Sequence, residues 1–147
     1  MTQIRTAQAH WSGDLASGGG AVSTATSGII SEQPISWRAR TEASEGNTSP
    51  EELLAAAHAA CFSMAVSNEL SKAGFVPDRV DVTVDVTADK REKGWTVLSS
   101  HITLRAKVPG ADQATFDEQA EKARTGCPIS RALSDTVEIT LEAVLEA

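Results

Sequence analysis

The chain has 147 residues, enough for one ordinary domain with a core of its own and too few for two. Its 41% hydrophobic and 22% charged residues exclude a disordered chain, and its two cysteines exclude a disulfide-stapled scaffold. Thirteen Lys and Arg against twenty Asp and Glu leave a net charge of −7, without the basic footprint that nucleic acids or anionic membranes require.

The first residues, Met1 to Arg5, are polar and lack the apolar centre of a signal peptide. Ile4 to Trp11 reads as a short strand, and Ser12-Gly13-Asp14 opens a loop that ends in the turn signal Gly18-Gly19-Gly20. No Lys-Ser/Thr pair or helix pattern follows those glycines, so they form no phosphate cradle. Val22–Ala25 and Gly28–Ser31 are expected as strands. Pro34 opens another, in which Ile35, Trp37 and Ala39 alternate with Ser36, Arg38 and Arg40, so that the two arginines share one face.

Ser49-Pro50-Glu51-Glu52 supplies an N-cap serine, proline at the first helical position and glutamate at the third. The helix it starts is expected to reach about Lys72 and stop at Gly74, with Pro77 beyond. Leu53 to Val66, about fourteen residues, is apolar on nearly every side, which falls short of the ~20 residues that span a bilayer. Such a helix must be enclosed, by a sheet on one flank and by something else on the other. Val80, Val82, Val84 and Val86 then alternate with polar residues as a half-buried strand, and a charged turn at Lys90–Gly94 leads to a partner strand from Trp95 to Val108. Asp112 can cap a helix with the apolar stripe Phe116, Ala120 and Ala123; Gly126-Cys127-Pro128 breaks it and starts a short one. Val137 to Leu145 alternates as a last strand. With no repeat or linker, residues 1–147 read as one α+β domain with an antiparallel sheet.

Cys61 fits two readings, a small core residue among alanines or a reactive thiol. Cys127 precedes proline at a helix start, where the helix dipole in general favours a thiolate. His58 lies three residues before Cys61 on the same helix face, either as a partner of the thiol or as a histidine satisfied by a polar neighbour elsewhere. No Cys-x-x-Cys or His-x-x-x-His spacing supports a metal site, and no cofactor is expected. His10 and His101 have no evident partner, and Ser63 and Ser67 are expected to bond back within the helix. Glu52 has a capping role, whereas Glu51 has none that is obvious. Ten residues at the rise of a helix separate Glu51 from Cys61 by about 15 Å. They cannot touch within one chain, but antiparallel helices in a dimer would let each Glu51 approach the other subunit's Cys61.

The run Thr48 to Ala65, TSPEELLAAAHAACFSMA, closely resembles the signature of the osmotically inducible protein C (OsmC) family. The resemblance extends to His10-Trp11-Ser12-Gly13-Asp14 and Gly126-Cys127-Pro128-Ile129-Ser130, and covers nearly the whole chain. The related organic hydroperoxide resistance (Ohr) branch usually has an aromatic residue where His58 stands, so the OsmC branch is the better match. The resemblance implies an OsmC-like fold in which antiparallel sheets wrap long central helices in an intertwined homodimer, with active sites at the subunit interface. It implies a thiol-dependent peroxidase of oxidative and osmotic stress defence, acting on organic hydroperoxides and less efficiently on hydrogen peroxide, and regenerated by a dithiol reductant. By position, Cys61 is the peroxidatic cysteine, Cys127 the resolving one, Glu51 the active-site glutamate and Arg40 the arginine, with Arg38 as runner-up. Leu53, Leu54, Phe62 and Met64 are expected to form an apolar wall favouring organic peroxides. A redox-sensing or small-molecule-binding dimer using the same disulfide as a switch is the alternative, and a dimer with inert thiols is a third reading. With no signal-peptide core and no stretch long enough to span a bilayer, a cytoplasmic location is expected, and in that reducing compartment an isolated cysteine pair is more often redox-active than structural.

Overall fold

A computed structural model describes residues 1–147, which fall into two compact units, Met1–Leu53 and Leu54–Ala147. In the first, β1 (Ala7–Ser12), β2 (Gly19–Thr24) and β3 (Gln33–Ile35) form an antiparallel sheet in chain order. The β1–β2 turn is closed by Asp14, whose carboxylate accepts from the Ala16 and Ser17 amides, each at 2.9 Å, and from the Ser17 hydroxyl at 2.6 Å. Of the glycine cluster, Gly19 and Gly20 belong to β2 and not to the turn. Gly20 is there because the strands approach closely: a Cβ at that position would sit 2.0 Å from the His10 carbonyl oxygen. The segment expected as a strand at Gly28–Ser31 is a loop instead, with Gly28 at φ +68° and the Thr24 amide donating to the Ile30 carbonyl at 2.9 Å.

The strand expected from Pro34 through Arg40 ends at Ile35. Residues Trp37–Thr41 form a short helix, α1, capped by the Ser36 hydroxyl, which accepts from the Ala39 amide at 3.0 Å. Alternation over so few residues does not distinguish a strand from one helical turn, and the cap settles it in favour of the helix. At about 100° per residue, Arg38 and Arg40 project from nearly opposite sides of α1.

The long helix α2 spans Pro50–Lys72. Its start is held as the sequence predicts, with the Glu52 amide donating to Ser49 Oγ at 3.2 Å. The Glu52 carboxylate accepts from the Thr48 hydroxyl at 2.5 Å instead of closing back on Ser49. At the other end Gly74 is left-handed (φ +90°), its amide donating to Ser71 and that of Phe75 to Leu70, the paired bonds of a Schellman stop. With 23 residues, α2 has the expected extent, and by length and composition it could cross a membrane. Its stripe His58, Phe62, Val66 and Leu70 is, however, fully buried within the protein core.

That core belongs to the second unit. Strand β4 (Arg79–Arg91) pairs antiparallel with β5 (Gly94–Lys107), whose inward residues Ser100, Ile102, Leu104 and Ala106 are buried. Helix α3 (Gln113–Gly126), capped by the Asp112 carboxylate on the Thr115 amide at 2.8 Å, adds Phe116, Ala120 and Ala123. Helix α4 (Pro128–Leu133) follows, and β6 (Glu138–Glu146) completes the sheet in the order β4-β5-β6. The antiparallel pairing expected from the sequence holds for the first sheet and for β4–β5, whereas β6 runs parallel to β5. The helices between β5 and β6 form the crossover that parallel neighbours need.

Candidate active site

In the first unit, Arg40 at the C-terminal side of α1 meets Glu51 in the first turn of α2. Arg40 Nε donates to Glu51 Oε1 at 2.9 Å, and Nη2 lies 2.8 Å from the same oxygen. The side chains are 29% and 12% exposed, so the contact is shielded from the screening that weakens surface pairs. The fork is not the two-oxygen clamp often seen for such pairs, since both nitrogens share one carboxylate oxygen. The guanidinium also lies over the Trp37 ring, 5.8 Å from its centroid, within cation–π range. Arg38 points elsewhere, to Glu42 and Glu45 at 3.1 Å each, and is well exposed. Of the two arginines on α1, only Arg40 is held against Glu51.

In the second unit, Cys61 on α2 and Cys127 at the junction of α3 and α4 come together. The Cys127 thiol donates to Cys61 Sγ at 3.1 Å, where a disulfide needs about 2.05 Å. Cys127 is fully buried and Cys61 partly so. Burial, and then the neighbouring Cys127 thiol, push the Cys61 pKa above the usual thiol value, while the Ile129 amide pulls it back. The thiols are thus placed to react with each other, but nothing in this unit favours the Cys61 thiolate enough to offset its burial.

Cys61 borders a cavity of about 320 Å³ whose wall includes Met64, Ala65, Ala123 and Pro128, with Asn68, Glu69 and Lys122 at its polar side. Met64 lines it as expected. Phe62 does not, because it faces the core on the stripe of α2 that runs four residues apart, and Leu53 and Leu54 are absent from its lining.

His58 is fully buried, with Nδ1 2.8 Å from Ser100 Oγ and Nε2 2.8 Å from Ser130 Oγ. It is a histidine satisfied by polar neighbours, and desolvation lowers its pKa, favouring the neutral ring. These two serines are the residues that sequence reasoning missed. The available signal was Ser100 itself, a hydroxyl at an inward register position beside Ile102 and Leu104, which calls for a buried polar partner. Ser63 bonds back to the Ala60 carbonyl at 2.9 Å, as expected. His10 has the exposed Glu32 at 3.9 Å, and His101 Nδ1 meets Thr140 Oγ1 at 2.7 Å.

Comparison with known proteins is consistent across sequence and structure. A family model described as OsmC-like protein matches residues 43–142. The chain is 46% identical to peroxiredoxin OsmC of Escherichia coli (strain K12) over 147 residues, the full length of both. It is 33% identical to the organic hydroperoxide resistance protein OhrA of Bacillus subtilis (strain 168) over 104 residues, 67% of this chain and 68% of that one. Among solved structures, an organic hydroperoxide resistance protein from Elizabethkingia anophelis superposes with a TM-score of 0.75 at 25% identity, covering 99% of this chain and all of that one. With a family match over most of its length and a full-length relative at this identity, the chain belongs to the OsmC family.

Proposed function

We propose that the protein is a cysteine-based peroxidase that reduces organic hydroperoxides, and hydrogen peroxide less efficiently, in defence against oxidative and osmotic stress. The observation that carries this reading is the 3.1 Å contact between Cys61 and Cys127 in a chain whose full-length relative is a peroxiredoxin. Cys61 is the nucleophile. Its thiolate attacks the distal oxygen of the hydroperoxide, the O–O bond breaks, and the alkoxide leaves with a proton as an alcohol. Cys61 is left as a sulfenic acid. The Cys127 thiol then displaces water from that sulfur to form the Cys61–Cys127 disulfide. An external dithiol supplies the two electrons and two protons that restore the thiols. The cycle needs no metal or cofactor.

A thiol whose pKa is raised by burial needs a cation close by in order to ionise at neutral pH. The guanidinium of Arg40, held by Glu51, is that cation in this reading. Glu51 and Cys61 of one chain lie ten residues apart on α2, so the pair is supplied by the second subunit of a homodimer. Two features support such an assembly. Ala56, Ala60 and Met64 form an exposed apolar face of α2 opposite its buried stripe, and all six residues of β1 are exposed. Both ask for a cover. The protein acts as one OsmC-like domain per subunit and resides in the cytoplasm, where free thiols stay reduced.

The test is consumption of cumene hydroperoxide with dithiothreitol as reductant. Wild-type turnover that disappears in Cys61→Ser supports the assignment; full activity in that variant removes it.

A further inference from the structure

We propose that His58 is a positioning residue for disulfide formation: through Nε2 and Ser130 it keeps the Cys127 segment against Cys61. The proposal rests on the reading of Cys61 and Cys127 as the reacting pair. His58 precedes Cys61 by three residues on α2, and Ser130 follows Cys127 by three on α4. The 2.8 Å bond between His58 Nε2 and Ser130 Oγ therefore joins the same two elements as the 3.1 Å thiol contact. The other ring nitrogen, 2.8 Å from Ser100 Oγ, anchors the imidazole to the central strand β5. A neutral imidazole has one donor and one acceptor nitrogen, so a single buried ring can serve both hydroxyls.

The Cys127 segment needs such an anchor. Helix α4 is six residues long, and no side chain caps its start at Cys127. The contact at 3.1 Å leaves no room between the sulfurs for an added oxygen. The oxygen is therefore added on the far side of Cys61, and Cys127 must stay in line behind the sulfur to displace it. The His58–Ser130 bond limits how far it departs. Without it the sulfenic acid persists and meets a second hydroperoxide, which transfers one oxygen to the sulfur, leaves as alcohol and produces the sulfinic acid. Both outcomes start from the same sulfenic acid, so their ratio reports on the placement of Cys127 and not on the first attack.

The bond lengths on the two sides of the ring are equal, which allows a matched experiment. Ser130→Ala removes the bond to the Cys127 segment, and Ser100→Ala removes the bond to the strand. His58→Gln places an amide nitrogen near the Nε2 position and His58→Asn near the Nδ1 position, so the pair repeats the contrast from the histidine side. The reduced, full-length protein is treated with cumene hydroperoxide, the products are resolved by intact mass, and the rate of the first turnover is recorded. Ser130→Ala and His58→Asn are expected to raise the ratio of sulfinic acid to disulfide about tenfold, the scale on which loss of one buried hydrogen bond acts. Ser100→Ala and His58→Gln should stay near wild type, and the first-turnover rate should hold in all four. Equal ratios in Ser130→Ala and Ser100→Ala overturn the proposal, because a general loss of packing would move both. If either serine variant fails to fold, equal ratios in His58→Gln and His58→Asn overturn it in the same way. A wild-type protein that reduces peroxide but never forms the Cys61–Cys127 disulfide overturns the assignment of Cys127 itself, and the proposal with it.

Discussion

Arg40 grips Glu51 with two nitrogens on one carboxylate oxygen, Nε at 2.9 Å and Nη2 at 2.8 Å, while Arg38, two residues earlier, faces Glu42 and Glu45. The pair orients a guanidinium whose place in the proposed dimer is beside the reacting thiol. Arg40→Ala is expected to move the midpoint of Cys61 alkylation to higher pH by about one unit or more, and Arg38→Ala to leave it unchanged. A pH series of labelling rates on both variants decides between them. An effect of Arg38→Ala alone would mean that the wrong arginine has been assigned.

Cys127→Ser removes the attacking thiol but leaves Cys61 in place. The variant should release one equivalent of alcohol as Cys61 becomes a sulfenic acid, a second as excess cumene hydroperoxide carries it to the sulfinic acid, and then stop. Stopped-flow kinetics and intact mass on the same sample check this. Repeated turnover with dithiothreitol at the wild-type rate would show that Cys127 is dispensable.

Burial lowers the His58 pKa from its usual value of 6.5. The unfolded chain therefore takes up a proton first as the pH falls. Stability from this group is at its full value above 6.5 and declines on acidification until the folded-state pKa is passed. Urea denaturation should show this loss in the wild type and a flatter profile in His58→Gln.

Phe116 on α3 is fully buried in the cluster with Phe62, Leu70 and Leu104. Phe116→Ala leaves a cavity in that cluster and should cost about 3–5 kcal/mol, measured by chemical denaturation. Phe116→Leu fills much of the space and should cost markedly less.

Local chemistry makes α2 and α3 legible and leaves α1 and much of the tertiary arrangement hidden. Ser49, Pro50 and Gly74 mark both ends of α2 because caps are written in single residues, and Asp112 does the same for α3. Arg38 and Arg40 read as sharing one strand face because Ile35, Trp37 and Ala39 satisfy a period of two over a stretch too short to test it, whereas the chain there is helical. The parallel direction of β6 has no signature in its own alternation, which is the same for either direction. The cysteine pair was located by resemblance to the family motifs and not by any physical rule, since the contact spans 66 positions. Ser100 and Ser130 are illegible for the same reason: their partner, His58, lies 42 and 72 positions away, and a hydroxyl gains meaning only from such a partner.

The parallel pairing of β6 with β5 also affects folding order. Cys127 sits in the crossover between these strands, with α3 before it and α4 after it. In an unfolded chain the two thiols are joined only by a long flexible loop, and their encounters are as infrequent as its closure entropy dictates. Contacts so distant in sequence form late, after the local helices and the β4–β5 hairpin. A chain emerging from synthesis therefore carries both thiols well before it can bring them together. Their pairing arises with the finished fold, so rapid closure of the Cys61–Cys127 bond would report that folding has reached its end.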